Sequence, residues 1–192
     1  TAKNQGGGMC FDDSYPTNAT LTNCTFTNNT AFNGGGMYAS SGNLTLTNCV
    51  FSNNESYDGG GIHTGGGYLT SCTFENNHST WGGGATLKGT TSVTNCIFAN
   101  NTGLQLGGGL ICHGNDVVIN KCVVQENQSG NGGGIFTNNV TGPLISNSIV
   151  CGNVDSQIIG SYVDLGGNVI TETCSENLGT CCTNDICVDG EE

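Results

Sequence analysis

The hydrophobic pattern of this chain repeats on a period far longer than a helix turn or a single strand. Six of the chain's seven Gly-Gly-Gly triplets, at Gly6–Gly8, Gly34–Gly36, Gly59–Gly61, Gly82–Gly84, Gly107–Gly109 and Gly132–Gly134, begin 23 to 28 residues apart. Each is followed at once by an apolar residue: Met9, Met37, Ile62, Ala85, Leu110 or Ile135. A second signature keeps phase with the first, running from Cys24 to Asn29, Cys49 to Asn54, Cys72 to Asn77, Cys96 to Asn101, Cys122 to Asn127 and Ser148 to Asn153. Within it Phe26, Phe51, Phe74, Phe98, Val124 and Val150 stand two residues after the cysteine or serine, so strand alternation places both on one inward face. Short apolar runs ahead of it, such as Leu44–Leu46, Val117–Ile119 and Leu144–Ile145, supply a further strand per repeat.

A repeat of this length is one coil of a solenoid. The expected fold is all-β: a single-stranded, right-handed parallel β-helix of about six to seven coils, the hand following from the preference of parallel crossover connections. Coils start near residues 6, 34, 59, 82, 107 and 132, the repeats occupy 1–160, and 161–192 form the last coil and a cysteine-rich cap. Three residues after each aromatic or valine stands an asparagine, at Asn29, Asn54, Asn77, Asn101, Asn127 and Asn153. Coils lie about 4.8 Å apart, so these amides are expected to form a buried hydrogen-bonded ladder. The glycines are expected at tight corners that need positive φ or close backbone approach. Beyond the last coil, Cys174, Cys181, Cys182 and Cys187 interrupt the pattern and, with Cys151, are expected to form a disulfide-tied cap over the open end, because spacings without CxxC pairs do not fit zinc. The opposite end, preceded only by Thr1–Gln5, is expected to present an edge to a neighbouring chain or to upstream coils. The column Cys24, Cys49, Cys72, Cys96 and Cys122 is expected to pack as small apolar thiols; disulfides along it are the alternative, although parallel Cβ vectors hold the sulfurs' bearers slightly too far apart.

Composition narrows the rest. Glycine is abundant, at 33 residues, but only two prolines accompany it, which excludes collagen, and the recurring core positions argue against disorder. The formal charge is −12, with three lysines and no arginine, so nucleic acid is excluded as a partner and anionic lipid or acidic polysaccharide is disfavoured. Twelve cysteines and nine Asn-x-Ser/Thr triplets point to an exported protein in an oxidising compartment, extracellular or at the cell surface. No apolar leader or bilayer-length run is present, so the chain is expected to be a mature product or a piece of a longer one, with no direct membrane span. The ladder would bury Asn54, Asn77 and Asn127; among the remaining six, Asn18, Asn28, Asn43, Asn100 and Asn139 are candidate glycosylation sites.

The tandem of Gly-Gly-apolar with Phe-x-x-Asn over Gly6 to about Asn153 resembles the repeat of the chlamydial polymorphic membrane protein adhesins, and similar coils occur in secreted right-handed β-helix repeat proteins of bacteria and algae. That resemblance implies the fold and a surface role. The acidic, cysteine-rich stretch after the last coil is not expected to lead into a C-terminal membrane barrel, which would depart from the adhesins.

β-Helices also carry pectate lyases and polygalacturonases, so the residues must be weighed for chemistry. Asp12-Asp13 is the only adjacent acidic pair within the repeats and reads as a solvated insertion before Pro16; Asp58, Glu75, Asp116, Glu126 and Asp155 are scattered singly. His63, His78 and His113 fall in three columns, and Cys112 and His113 should point to opposite faces. The expectation is a non-catalytic extracellular structural or surface protein without cofactor or metal, a rigid rod that stacks end to end into filaments or acts as an adhesin, with itself or other surface proteins and glycans as partners. The alternatives are a polysaccharide-active enzyme and, from the outward threonines Thr22, Thr47, Thr70 and Thr94, an ice- or carbohydrate-binding face.

Overall fold

The computed structural model describes residues 4–11, 18–40, 44–114, 116–139 and 141–174. Among these, every regular element is a strand, and the strands stack into a parallel solenoid of about six coils. Three sheets have seven strands each. Sheet 1 runs from Met9–Phe11 to Ile158–Ile159, sheet 2 from Ala19–Thr22 to Val163–Asp164, and sheet 3 from Thr25–Thr27 to Val169–Thr171. Sheet 4 holds Glu55–Asp58, His78–Trp81, Thr102–Leu106 and Gln128–Ser129.

Register is kept column by column. In sheet 1 the residue after each triplet pairs with its counterpart, Met9 with Met37, Met37 with Ile62, and so on through Ala85, Leu110, Ile135 and Ile158. In sheet 3 Phe26, Phe51, Phe74, Phe98, Val124, Val150 and Ile170 form one rank. The four phenylalanine rings stack almost parallel, with centroids 4.8, 4.9 and 4.6 Å apart. A ring spacing this close to the coil repeat lets aromatic contact and strand pairing share one geometry. Leu46, Leu69, Val93, Ile119 and Ile145 close the same core from sheet 2.

The asparagine column sits beside the rings with each amide fully used. Asn77 Oδ1 accepts from both the backbone N–H and the Nδ2 of Asn54, each at 3.0 Å, while Asn77 Nδ2 donates to the Phe51 carbonyl at 2.9 Å and to Asn101 Oδ1 at 3.0 Å. The same four bonds recur at Asn101 and Asn127. Two lone-pair directions and two amide hydrogens are the whole capacity of the group, so burial leaves nothing unpaired.

The cysteines form a second polar column. Each thiol donates to the carbonyl two residues earlier: Cys49 to Thr47, Cys72 to Thr70, Cys96 to Thr94 and Cys122 to Asn120, at 3.3 to 3.4 Å. The Cys72 N–H donates to Cys96 Sγ at 3.3 Å, and the Cys122 N–H donates to Ser148 Oγ at 3.1 Å, which explains why serine replaces cysteine at the sixth level. These thiols are unbridged and act as weak hydrogen-bonding groups as well as apolar filler.

Glycine was expected to make the corners, yet two of the left-handed corners in each coil are built mainly by asparagine. Asn23, Asn48, Asn95 and Asn147 precede the cysteine or serine, with Ser71 and Lys121 in the same column. Asn28, Asn53, Asn76 and Asn100 precede the ladder asparagine, with Glu126 in theirs. All have φ between 49° and 56°, a region that asparagine enters at lower cost than most side chains.

At the C-terminal end both columns are closed by a longer amide. Asn153 donates to Gln157 Oε1 at 2.8 Å and Gln157 Nε2 returns to the Asn153 carbonyl at 3.1 Å. Asn168 Oδ1 accepts from the Ser148 N–H at 2.9 Å, and its Nδ2 donates to the Ile145 carbonyl at 2.9 Å. Cys151 is bonded to Cys174 across 23 residues, and both belong to a small cluster with Val123 and Ile149 that is separate from the main core. The bridge thus lies on the outer face of sheet 3 and holds the last coil from the side. Cys181, Cys182 and Cys187 lie outside the described residues.

Replacing a mid-ladder amide should cost far more than replacing its neighbour. Asn77→Ala removes four interior hydrogen bonds, leaves the Asn54 N–H and one Asn54 amide hydrogen without acceptors, and should lower unfolding free energy by on the order of 4 kcal/mol, whereas Asn76→Ala adds only left-handed strain of about 1 kcal/mol. Urea unfolding of both variants checks the difference.

Candidate functional site

The three-glycine corner folds the chain so sharply that the outer faces of two sheets meet across it. Gly59 has φ +71°, and a Cβ there would collide with the Ile62 carbonyl and lie 3.0 Å from the Cβ of His63; at Gly82 it would collide with the Thr86 hydroxyl. The second and third glycines answer to the next coil, since a Cβ at Gly61 would lie 2.5 Å from the Gly84 carbonyl oxygen and 3.0 Å from the Phe74 ring. The outcome is a concave seam running along the solenoid. One wall is the residue before each triplet, Asn33, Asp58, Trp81, Leu106 and Asn131; the other is the outward rank of sheet 1, Tyr38, His63, Thr86, Ile111 and Phe136. Ile111 is fully buried although it is no part of the main core cluster, which shows how completely the seam closes over its own side chains.

In its middle the seam gathers the chain's acid–base groups. The Thr86 hydroxyl donates to Asp58 Oδ1 at 2.5 Å, His63 Nδ1 lies 3.1 Å from Asp58 Oδ2, and Lys88 Nζ lies 4.0 Å from the same oxygen. The His63 nitrogen is near the carboxylate without being well aligned for a hydrogen bond. The Tyr38 ring covers His63 with centroids 5.1 Å apart. Burial pushes the Asp58 carboxyl up, but His63, the Thr86 hydroxyl and the Lys88 charge together outweigh it and hold it below its ordinary range. One column along, His113 Nδ1 lies 3.2 Å from Asn138 Oδ1, and burial, with Lys88 and His63 adding to it, draws its imidazole below the usual value.

Asp58 remains the only acid in this group, as expected, but its contacts with His63 and Lys88 were not expected. Asp58 and His63 are five apart in the chain, and strand alternation alone gives no hint that the corner is concave; an acid directly before the triplet and a histidine in the outward slot after it were the available signal. The rest of the expected chemistry stays dispersed. His78 is exposed on sheet 4, Cys112 points inward with its thiol pushed up by burial, and Asp12-Asp13 lies outside the described residues. Among the described residues no three His, Cys, Asp or Glu side chains converge as metal ligands. Of the candidate glycosylation sites, Asn18, Asn28 and Asn100 are exposed, Asn139 is half-buried, and Asn43 lies outside the described residues; Asn54, Asn77 and Asn127 are buried in the ladder.

Two outer faces complete the candidate surfaces. On sheet 4 the rings of Phe32, Tyr57 and Trp81 follow one another at 5.0 and 4.8 Å, and Trp81 Nε1 donates to Gln105 Oε1 at 3.1 Å. On sheet 2 Thr22, Thr47, Thr70 and Thr94 share a rank that continues as Asn120 and Ser146, while the neighbouring outward rank changes from Thr20 and Thr45 to Tyr68, Ser92, Val118 and Leu144.

Both depressed groups make the fold acid-sensitive in the same direction. As pH falls below about 6.5, and again below about 3.9, the unfolded chain takes up protons that folded His113 and folded Asp58 resist. Stability present above those values is therefore lost as pH falls towards and through each folded pKa. Chemical denaturation across a pH series should show the upper decline removed by His113→Gln and the lower one reduced by Asp58→Asn.

A family model described as a right-handed β-helix region matches residues 17–177. No curated protein and no solved structure matches the chain. The matched span takes in the glycine corners from the second triplet onward, both polar columns and the acid–base seam, and the chain belongs to the right-handed β-helix family.

Proposed function

We propose that this chain is a non-catalytic structural or surface protein of the extracellular space, a stiff β-helical rod that presents flat sheet faces. The observation that carries the reading is that its buried polar chemistry is spent internally. Both oxygens of Asp58 are engaged by its own neighbours in a seam that its own side chains fill, and the groups acting on it are His63, Thr86 and Lys88 rather than the second carboxylate that glycoside hydrolysis uses. The asparagine and cysteine columns likewise serve coil-to-coil cohesion. Seven levels at about 4.8 Å give a rod of about 30 Å from this chain. The twelve cysteines, the Cys151–Cys174 bridge and the exposed Asn-x-Thr sites Asn28 and Asn100 fit an oxidising, extracellular setting. The likeness of the repeat to adhesin repeats points to the cell surface. Self-association suits the scaffold, because a parallel sheet edge offers unpaired N–H and C=O groups in the register that another coil would use.

Two measurements test this. Negative-stain electron microscopy and sedimentation across a concentration series should show rods that lengthen with concentration; short particles at every concentration would remove the self-assembly reading. A panel of neutral and acidic glycans, with and without calcium, should remain uncleaved, and turnover abolished by Asp58→Asn would replace the structural reading with an enzymatic one.

A further inference from the structure

The chain contains two Asn-Gly pairs, Asn33-Gly34 and Asn131-Gly132, and both occupy the same place in the coil, the seam wall directly ahead of a triplet. Their backbone environments differ. Along the corner each first glycine donates to the next coil: the Gly34 N–H to the Asp58 carbonyl at 2.9 Å, Gly59 to Trp81 at 2.8 Å, Gly82 to Leu106 at 3.0 Å and Gly107 to Asn131 at 3.0 Å. The series stops at Gly132, because the coil above it carries no triplet, and among the described residues the Gly132 N–H has no backbone acceptor. Asn131 itself is exposed, and its carbonyl accepts from the Gly107 N–H at 3.0 Å and from the Ser129 hydroxyl at 3.0 Å.

We propose that Asn131 is a site of spontaneous deamidation and isomerisation, and that Asn33 is protected from the same reaction by the fold. The Gly132 nitrogen attacks Asn131 Cγ; the N–Cγ bond forms, the Cγ–Nδ2 bond breaks, and the amide proton leaves with Nδ2 as ammonia. Water then opens the resulting succinimide at either carbonyl, giving aspartate or isoaspartate, with no oxidant or reductant involved. The nucleophile is the deprotonated amide, whose charge spreads onto the Asn131 carbonyl oxygen, so the two donors on that oxygen favour it. At Asn33 the attacking N–H is bound to the Asp58 carbonyl and must first open. Asp58-Gly59, the third pair of this kind in the column, is held back twice, by the bound Gly59 N–H and by a carboxyl kept ionised. Reaction at Asn131 adds a negative charge to the seam, and the isoaspartyl product inserts a methylene into the main chain where the Gly107 N–H is received. The last glycine corner therefore ages first.

The test is peptide mapping by mass spectrometry of the intact protein after incubation at mildly alkaline pH. Native protein should convert at Asn131 about tenfold or more faster than at Asn33, and in urea the two rates should converge. Asn131→Gln should abolish the modified peptide, and amide exchange should be faster at Gly132 than at Gly34. Equal rates at the two sites in native protein, a bias that persists undiminished in urea, or equal protection of the two glycine amides would overturn the proposal.

Discussion

The asparagine amides that face the interior of this solenoid find their partners in the coils above and below. That single constraint organises the chain. An asparagine at one level is useful because an asparagine stands at the next, and Asn54, Asn77, Asn101 and Asn127 each use all four of their hydrogen-bonding positions in this way. The constraint also dictates how a stack can stop. At the last coil identity of side chain no longer helps: the asparagine column ends on Gln157, which folds back on Asn153, and the cysteine column ends on Asn168, which receives the Ser148 N–H. Glycine follows from the same rule applied to backbone, since the second and third members of the first five triplets lie against the carbonyls of the next triplet, and those of the last against Val154 and Gln157, with no room for a Cβ.

The inward half of the molecule was legible in the sequence because stacking forces it to repeat. Phe26, Phe51, Phe74 and Phe98 or Met37, Ile62, Ala85 and Leu110 can be aligned by eye, and alignment in sequence is alignment in space. What escaped was whatever the repeat does not distinguish. In the doublets Asn53-Asn54, Asn76-Asn77 and Asn100-Asn101 the phase of the repeat marks the second residue as the buried rung, but nothing in it marks the first as a left-handed corner. The thiols read as small apolar side chains, and their bonds to backbone carbonyls became visible only with the corner geometry. Asp58 and His63 escaped for a different reason: their meeting depends on a corner that is concave from outside, and alternation within a strand carries no information about the angle between strands.

The seam shows how the outward positions differ in kind from the inward ones. Its wall on sheet 1 passes from Tyr38 and His63 through Thr86 to Ile111 and Phe136 while the inward rank behind it stays apolar throughout. Inward residues answer to the coil above and below, and the ranks of Met37 and Phe51 stay apolar from coil to coil. Outward residues answer only to what lies across the seam or in solvent, so each level can differ. The Asp58 group is such a local solution: an acid placed where Thr86, His63 and Lys88 happen to surround it, stable because its partners offset the cost of burial rather than because a ladder repeats it.

It follows that membership of the β-helix family constrains this chain's interior far more than its role. The columns that identify the family are the ones already committed to holding coils together, and they are shielded from any partner. Recognition by such a molecule has to come from its non-repeating exterior, from the ring series of Phe32, Tyr57 and Trp81 or the threonine-rich face of sheet 2, or from the sheet edges that only another stack can match. A surface built from short strands with tight corners offers these as flat or ridged faces, and it is on those faces that the chain departs from its own repeat.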